Sequence, residues 1–303
     1  MEDEGKEIGV IGIGAMGGNI ARLLQDGGYS LVLYNKTPEG YEPFRGKRGF
    51  TIAGDLADLV KKLGKEGDRV VWMMVPGGDV TNGIVMQLSN IMRPGDIVID
   101  ASNSIYTDSI ANYNSMRAAG VSYLDVGCAG GPDDLLNGAT FMIGGDKDAY
   151  GRAEGIFKTL AGKNGTYGYV GGSGSGQMTK MVHNGIFYGI FPVYAEGVEL
   201  LQRMSENANG SSLDMKEALR LLARSPPITT DIMGGITKAH ANGELERPAG
   251  APKVSEMVNR ELDVAASMGV GLAITKAVLG GYASMSERSR SIYTAAKRIV
   301  TGH

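Results

Sequence analysis

The sequence predicts an α/β protein in which a doubly wound, mostly parallel sheet over residues 1–172 precedes an all-helical domain over residues 173–303. In the first half, short apolar runs alternate with stretches whose apolar residues recur every three or four positions. This is the pattern of parallel strands joined by crossover helices. A glycine-rich run at 171–176 ends the alternation, and the sequence beyond it is mostly of helical type. A chain of 303 residues is also long enough for two domains.

The individual elements follow from these runs. Strands are predicted at Glu7–Ile13, Ser30–Tyr34, Arg69–Val75, Asp96–Asp100, Ser122–Val126 and Thr140–Ile143. Between them, helices are predicted at Ala15–Gly27 and Val80–Ile91, where apolar residues share one helical face. A long apolar helix is predicted at Gln177–Glu206, after the glycine-rich run.

Charge and composition argue against several classes of protein. The net charge of −3 and the lack of a dense Lys or Arg run offer no surface for nucleic acid. No stretch of about 18 apolar residues could span a membrane, and the acidic first residues lack the apolar core of a signal peptide. The single cysteine and three scattered histidines predict neither a disulfide nor a metal site. We therefore expect a cytoplasmic protein that takes a small-molecule substrate.

A glycine-rich turn lies directly after the first predicted strand. It consists of Gly12-Ile13-Gly14-Ala15-Met16-Gly17 and opens an amphipathic helix, so the G-x-G-x-x-G spacing occurs in its strand-turn-helix context. In such a turn the first glycine makes the bend, the second admits a pyrophosphate and the third lets helix and strand approach. Amide groups at the start of the helix then face the anion. The turn therefore predicts a nicotinamide dinucleotide site.

The residues after the second strand bear on the choice of cofactor. NAD sites usually carry Asp or Glu there, which accepts a hydrogen bond from the ribose 2′-hydroxyl. This sequence has Asn35-Lys36-Thr37 instead. A cation with two neutral hydrogen-bonding side chains suits a 2′-phosphate, so NADP is the predicted cofactor. NAD remains the alternative if Lys36 is only a solvated surface lysine.

A group of polar residues begins the long predicted helix. Lys180, His183 and Asn184 are three and four residues apart, so they share one helical face. If buried, they need partners, and they form either a structural network or the lining of a site. A buried lysine can act as a general base near neutral pH because desolvation lowers its pKa. The alternative is an ordinary solvated helix face.

Further motifs extend along the chain. They comprise Val75-Pro76-Gly77, Asp100–Ser104, Asp125–Gly131, Met142–Gly145, Tyr167–Gly176, Lys180–Tyr188 and Glu196-Gly197. Through these segments the sequence resembles the 6-phosphogluconate dehydrogenases, within the wider family of β-hydroxyacid dehydrogenases. The resemblance implies an N-terminal Rossmann domain, a helical C-terminal domain through which two copies dimerise, and a cleft between the domains.

The resemblance also implies roles for individual residues. Lys180 corresponds to the general base, Asn184 to the residue that orients the substrate, and Asn103 to the asparagine between nicotinamide and substrate. Val75-Pro76-Gly77 falls among the cofactor-binding segments. The remaining implied substrate-binding residues are Ala129, Gly130, Gly131, His183, Phe187, Tyr188 and Lys253. Among them, Gly130 and Gly131 match the paired glycines beside the substrate carboxylate, and Tyr188 and Lys253 match residues that bind its phosphate.

The sequence departs from the family at three positions. Phe187 occupies the place of the glutamate that protonates the product of decarboxylation, and Ala129 replaces a serine that contacts the carboxylate. Near Gly281 a phosphate-binding arginine is missing. We therefore expect oxidation or reduction of an alcohol or carbonyl on a polyhydroxylated, sugar-like substrate without decarboxylation. An unphosphorylated substrate, or one with an aromatic or nucleoside-like part, would fit these changes.

Three other functions remain open at this point. A retained cofactor could support a redox-neutral dehydratase or epimerase, which also needs Lys180. The chain could be an authentic decarboxylating 6-phosphogluconate dehydrogenase. It could also be a non-catalytic sensor that binds a nucleotide, although such a protein has no evident need for the base.

Overall fold

The computed structural model describes residues 7–207, 213–225, 231–245, 263 and 286–301. The chain divides into two compact units, Met1–Lys180 and Met181–His303. The division falls within the long helix, whereas the sequence placed the domain boundary just before that helix, between residues 172 and 173. Each unit is described by itself below.

The first unit is built on one eight-stranded sheet with the order β3-β2-β1-β4-β5-β6-β7-β8. Its strands are β1 Glu7–Ile11, β2 Ser30–Tyr34, β3 Phe50–Ile52, β4 Val70–Met73, β5 Ile97–Asp100, β6 Ser122–Ala129, β7 Thr140–Gly145 and β8 Thr166–Gly171. Neighbouring strands are parallel except for the antiparallel pair β6 and β7. This topology confirms the predicted doubly wound, mostly parallel sheet.

Helices follow most of the strands of this unit. They are α1 Ala15–Asp26, α2 Leu56–Lys62, α3 Asp79–Ile91, α4 Tyr106–Ala118, α5 Pro132–Asn137 and α6 Lys147–Ala161. Two short 3-10 turns, Pro38–Gly40 and Glu42–Phe44, lie between β2 and β3. The predicted helices Ala15–Gly27 and Val80–Ile91 therefore agree with α1 and α3 to within one residue at each end.

Apolar cores lie on both faces of the sheet. Successive residues of β4 alternate between them: Trp72 packs in one core, with Phe141 and Phe157, while Val71 and Met73 pack in the other. A parallel strand that is buried on both faces has an unbroken apolar sequence. This is why β4 could be predicted from a continuous apolar run.

Two strands were not predicted. β3 has only three residues, and β8 contains two glycines and is half exposed at the edge of the sheet. Neither offers the apolar run on which strand prediction depends. β1 is shorter than predicted because its ladder ends at Ile11, and the amide of Ile13 instead donates to the Asn35 side chain.

The described part of the second unit is all-helical, as predicted. α7 Ser175–Asn207 enters it from the first unit, followed by α8 Met215–Leu222, α9 Asp231–Ala241 and α10 Glu287–Thr301. The core of this unit includes the buried side chains of Phe191, Leu219, Ile236, Ile292 and Tyr293. Within the described residues, no helix combines the length and apolar character needed to cross a membrane. The cytoplasmic location stays a prediction.

Candidate functional site

The glycine turn between β1 and α1 has the geometry that a dinucleotide site requires. Gly12 has φ +89°, and a Cβ on it would lie 2.3 Å from the Met74 carbonyl oxygen. A Cβ on Gly17 would lie 1.8 Å from the carbonyl oxygen of Gly12. Gly14, by contrast, is exposed, with nothing within 4 Å of a Cβ. The outer two glycines are therefore needed for packing, whereas the middle one leaves space in front of the helix start for a pyrophosphate.

The Asn35 side chain stabilises this turn by a hydrogen bond to its backbone. Its Oδ1 accepts a hydrogen bond from the amide of Ile13 at 2.9 Å, and its Nδ2 donates to the carbonyl oxygen of Thr37 at 2.9 Å. Lys36 and the Thr37 side chain are exposed. Of the three residues predicted to select the cofactor, Asn35 thus shapes the turn, and Lys36 and Thr37 are the ones presented to solvent.

The loops that follow β4 and β5 pack against each other beside this turn. A Cβ on Gly12 would lie 2.7 Å from a Val75 side-chain carbon, and a Cβ on Gly77 would lie 2.4 Å from the carbonyl oxygen of Asn103. The Asn103 side chain is exposed. The structure thus brings the glycine turn, Val75-Pro76-Gly77 and Asn103 together at the carboxyl ends of β1, β4 and β5, the edge where open α/β sheets bind ligands.

Lys180 lies against strand β6. A Cβ on Gly127 would be 2.4 Å from the Cβ of Lys180, so the lysine stem fits only because residue 127 has no side chain. Burial lowers the pKa of Lys180 to about 8, and burial raises the pKa of the neighbouring Cys128 thiol to about 11. At pH 7 roughly a tenth of the Lys180 amines are therefore neutral, and Cys128 stays protonated.

The end of β6 carries a feature that the sequence analysis missed. Gly130 has φ +128°, and the amide of Gly131 donates to Oδ2 of Asp134 at 2.6 Å. The amide of Gly131, one of the paired glycines, thus already donates its hydrogen bond to the Asp134 carboxylate. The sequence signal was Pro132 at the first position of a helix with Asp134 at the third, which is typical of a helix start. Ala129 is half-buried in front of this pair.

In the second unit, Asn184 is buried and its neighbour His183 approaches it, with Nδ1 3.4 Å from Oδ1 of Asn184. The His183 ring lies parallel to Phe187, with centroids 6.2 Å apart. Phe187 in turn packs edge-on against the buried Phe191 at 4.9 Å. The phenyl ring at position 187 therefore contacts both Phe191 in the core of this unit and the His183 imidazole.

Tyr188 lies next to a cation that the sequence analysis did not single out. The Lys297 ammonium of α10 is 5.2 Å from the centre of the Tyr188 ring. Burial raises the pKa of Tyr188 and lowers that of Lys297. No local motif marks Lys297, because helix packing alone places it there. The remaining positions named for the phosphate end, Lys253 and Gly281, lie outside the described residues.

Among the described residues, no three His, Cys, Asp or Glu side chains are grouped closely enough to hold a metal ion. In the first unit, burial raises the pKa values of Asp100, Tyr123, Asp125 and Cys128 and lowers that of Lys180. In the second unit, burial raises the pKa of Tyr188 and lowers that of Lys297. The chemistry that these residues can support is proton transfer and electrostatic recognition.

Comparison with known sequences also indicates a nicotinamide-dependent dehydrogenase. Residues 7–171 match the model of the NAD binding domain of 6-phosphogluconate dehydrogenase. The Bacillus subtilis protein YqeC, whose name places it among the 6-phosphogluconate dehydrogenases, is 34% identical over 237 residues, covering 78% of this chain and 76% of that protein. The decarboxylating 6-phosphogluconate dehydrogenase of Synechococcus elongatus is 35% identical over 215 residues, which are 69% of this chain but only 45% of the longer enzyme.

Solved structures show the same fold. The 3-hydroxyisobutyrate dehydrogenase of Mycobacterium tuberculosis superposes with a TM-score of 0.73 at 18% identity, covering 97% of this chain and 99% of that one. The 6-phosphogluconate dehydrogenase of Plasmodium falciparum superposes with a TM-score of 0.75 at 23% identity, covering 95% of this chain and 62% of that one. The fold is therefore the one shared by these two dehydrogenases.

Proposed function

The chain belongs to the 6-phosphogluconate dehydrogenase family of nicotinamide-dependent dehydrogenases, and from that premise we propose that it interconverts an alcohol and a carbonyl on a polyhydroxylated, sugar-like substrate without decarboxylation. The main support for the proposal is the burial of Lys180 against β6, which lowers the pKa of its amine to about 8. A lysine that is partly neutral at pH 7 can accept a proton, which a fully charged surface lysine cannot.

The proposed roles of the side chains follow from their chemistry. NADP, when bound at the glycine turn, supplies a hydride acceptor. The neutral Lys180 amine accepts the proton of the substrate hydroxyl, and the Asn184 amide holds that hydroxyl by hydrogen bonding. Asn103 stands at the edge where the cofactor turn and the loop after β5 meet, and its side-chain amide contacts the substrate. In the reverse direction the Lys180 ammonium returns the proton to the carbonyl oxygen.

Three features support the absence of decarboxylation. Phe187 cannot donate a proton to a product enediol, since its ring is a hydrocarbon packed on Phe191. Ala129 has no hydroxyl for a substrate carboxylate. Asp134 already accepts from the Gly131 amide, and its negative charge disfavours a second carboxylate at that place. An aromatic or heterocyclic part of a substrate could instead pack against the aromatic pair of His183 and Phe187.

The reaction is tested by incubating the protein with NADP and 6-phosphogluconate, or with gluconate, and measuring NADPH and CO₂ together. The proposal expects little or no CO₂ from either compound, because no acid replaces the glutamate at position 187. Gluconate is the matched compound without phosphate. A preference for 6-phosphogluconate over gluconate would favour Tyr188 and Lys297 as the residues that bind the substrate phosphate. Robust turnover with stoichiometric CO₂ would mean that the chain is a decarboxylating enzyme after all.

For the cofactor, we propose NADP, selected by Lys36 and the Thr37 hydroxyl at the end of β2. A hydrogen bond to a charged group contributes about 1.5–3 kcal/mol. Lys36→Ala should therefore raise the KM for NADP by about tenfold or more and leave the KM for NAD nearly unchanged. Lys61→Ala, at an exposed lysine of α2, is the control. Equal KM values for NADP and NAD in the unaltered protein would refute the assignment.

We also propose that the protein is a homodimer that assembles through its helical part. Six large apolar side chains of α7 lie along one face and are between 38% and 64% exposed. They are Val182, Ile186, Ile190, Val193, Leu200 and Met204. An apolar stripe of this length is unusual on a monomer surface. A mass in solution of twice 31.9 kDa is expected, and a mass of one chain at micromolar concentration would argue against the dimer.

A further inference from the structure

The start of α7 is attached to strand β6 by a buried carboxylate. Asp125 is fully buried, and its Oδ1 accepts a hydrogen bond from the Gly174 amide at 2.7 Å while its Oδ2 accepts from the Gln177 amide at 3.0 Å. Burial raises the pKa of Asp125, and these amides act against that rise. The carboxylate thus satisfies helix-start amides that would otherwise lack partners.

The Gln177 side chain makes a second attachment. It is 1% exposed, and its Nε2 donates to the carbonyl oxygen of Ser102 at 2.7 Å and to that of Val126 at 3.0 Å. Ser102 directly precedes Asn103 in the loop after β5, whereas Val126 lies in β6. One carboxamide therefore links the first turn of α7 to both the Asn103 loop and the strand beneath Lys180.

Close backbone packing leaves this turn little freedom. A Cβ on Gly176 would lie 2.3 Å from the carbonyl oxygen of Asp125 and 2.5 Å from that of Met142. One turn further on, the Lys180 stem fills the space left open at Gly127. Gln177 and Lys180 are three residues apart on one helix, so they are neighbours on the same helix turn.

We propose that Gln177 is a positioning residue for Lys180: its carboxamide holds the helix turn that carries the lysine against β6 and the Asn103 loop. The inference rests on the proposed function, in which Lys180 is the base. Gln177 Oε1 is buried and has no hydrogen-bond partner among the described residues. An unpaired buried acceptor such as this oxygen lowers the stability of the protein. The carboxamide at position 177 is therefore explained by the two hydrogen bonds that its nitrogen donates, and not by a contribution to core stability.

Loss of those contacts should alter the surroundings of Lys180. The Ser102 and Val126 carbonyl oxygens would lose a buried donor, and water that enters to replace it would hydrate the lysine and raise its pKa. The ionisable side chains of β6 are Tyr123, Asp125 and Cys128. Tyr123 donates to Asp100 and Asp125 accepts from helix amides, and the Cys128 thiol is uncharged where Lys180 titrates because burial raises its pKa.

The test compares Gln177→Met with Gln202→Met. Both remove a buried carboxamide from the same helix α7, but Gln202 lies 25 residues beyond Gln177. Acetic anhydride labelling of the full-length protein at a series of pH values, with mass spectrometry of the Lys180 peptide, gives the lysine pKa without any substrate. Gln177→Met should raise the Lys180 pKa by about one unit, and hence lower kcat at pH 7 about tenfold, with recovery at higher pH. Gln202→Met should change neither.

An unchanged Lys180 pKa in folded Gln177→Met protein would overturn the inference. Should that variant fail to fold, Gln177→Asn replaces it: the amide is retained but is one methylene too short to reach both carbonyl oxygens, so a smaller rise in pKa is expected. The labelling result is independent of turnover. An unaltered protein that oxidises no alcohol would contradict the proposed function, while the labelling would still decide whether Gln177 controls Lys180.

Discussion

Replacing Lys180 with methionine is expected to lower kcat for alcohol oxidation by about 10²–10⁴-fold, the usual contribution of a general base. Methionine keeps an unbranched apolar stem that can pack on Gly127 but cannot accept a proton. The Kd for the cofactor should not change, because the glycine turn is unaltered. The two measurements are the rate of NADPH formation and the quenching of protein fluorescence by NADPH.

The matched control is Lys163→Met, at an exposed lysine of the same unit, which should retain full activity. If the protein were a non-catalytic nucleotide sensor, neither substitution would change its nucleotide binding. A redox-neutral dehydratase or epimerase would lose product formation in Lys180→Met but show no net NADPH formation in the unaltered protein, so products must be analysed alongside absorbance. Full activity of the Lys180→Met protein would remove the lysine from the mechanism.

Gly14→Ala should weaken cofactor binding without destabilising the protein. A Cβ at Gly14 meets no atom within 4 Å, and the backbone there has φ −83°, which alanine adopts readily. The methyl group would project into the space proposed for the pyrophosphate. Steric overpacking costs about 1–3 kcal/mol, so the Kd for NADPH should rise roughly 5- to 150-fold. The midpoint of thermal unfolding without cofactor should stay unchanged.

Two neighbouring glycines provide the controls for this prediction. Gly17→Ala should lower the unfolding midpoint, since its Cβ would lie 1.8 Å from a backbone oxygen. Gly18→Ala should leave cofactor binding unchanged and should not lower the unfolding midpoint, because its Cβ would meet Arg22 and Phe44 only at ordinary contact distances of 3.7 Å and alanine is the better helix former. If Gly14→Ala protein binds NADPH with unchanged Kd, the cofactor does not lie against the middle glycine.

The parts of the fold that were predictable are those with a local signal. β4 could be predicted from a continuous apolar run, and α1 from apolar periodicity directly after the glycine turn. β3 and β8 lack such runs, and they form strands because a neighbouring strand offers hydrogen-bond partners at each edge of the sheet. Pairing with a distant strand cannot be predicted from a short sequence that lacks an apolar run.

The candidate site divides in the same way. Lys180 could be proposed from its motif, but its stem packs against Gly127, more than fifty residues earlier in the sequence, and burial there lowers its pKa. Lys297 approaches Tyr188 only through the packing of two helices. Asn35 was predicted to face the cofactor, yet its amide is committed to the turn, a role that depends on the position of Ile13 after folding.

The pH dependence of kcat/KM for alcohol oxidation tests the role of Lys180 most directly. The base must be neutral to accept a proton, and burial holds its pKa at about 8. The rate should therefore rise about tenfold per pH unit below that value and level off above it. A profile that is flat from pH 6 to 9, or that rises only near the ordinary pKa of an exposed lysine, would contradict the assignment of Lys180 as the general base.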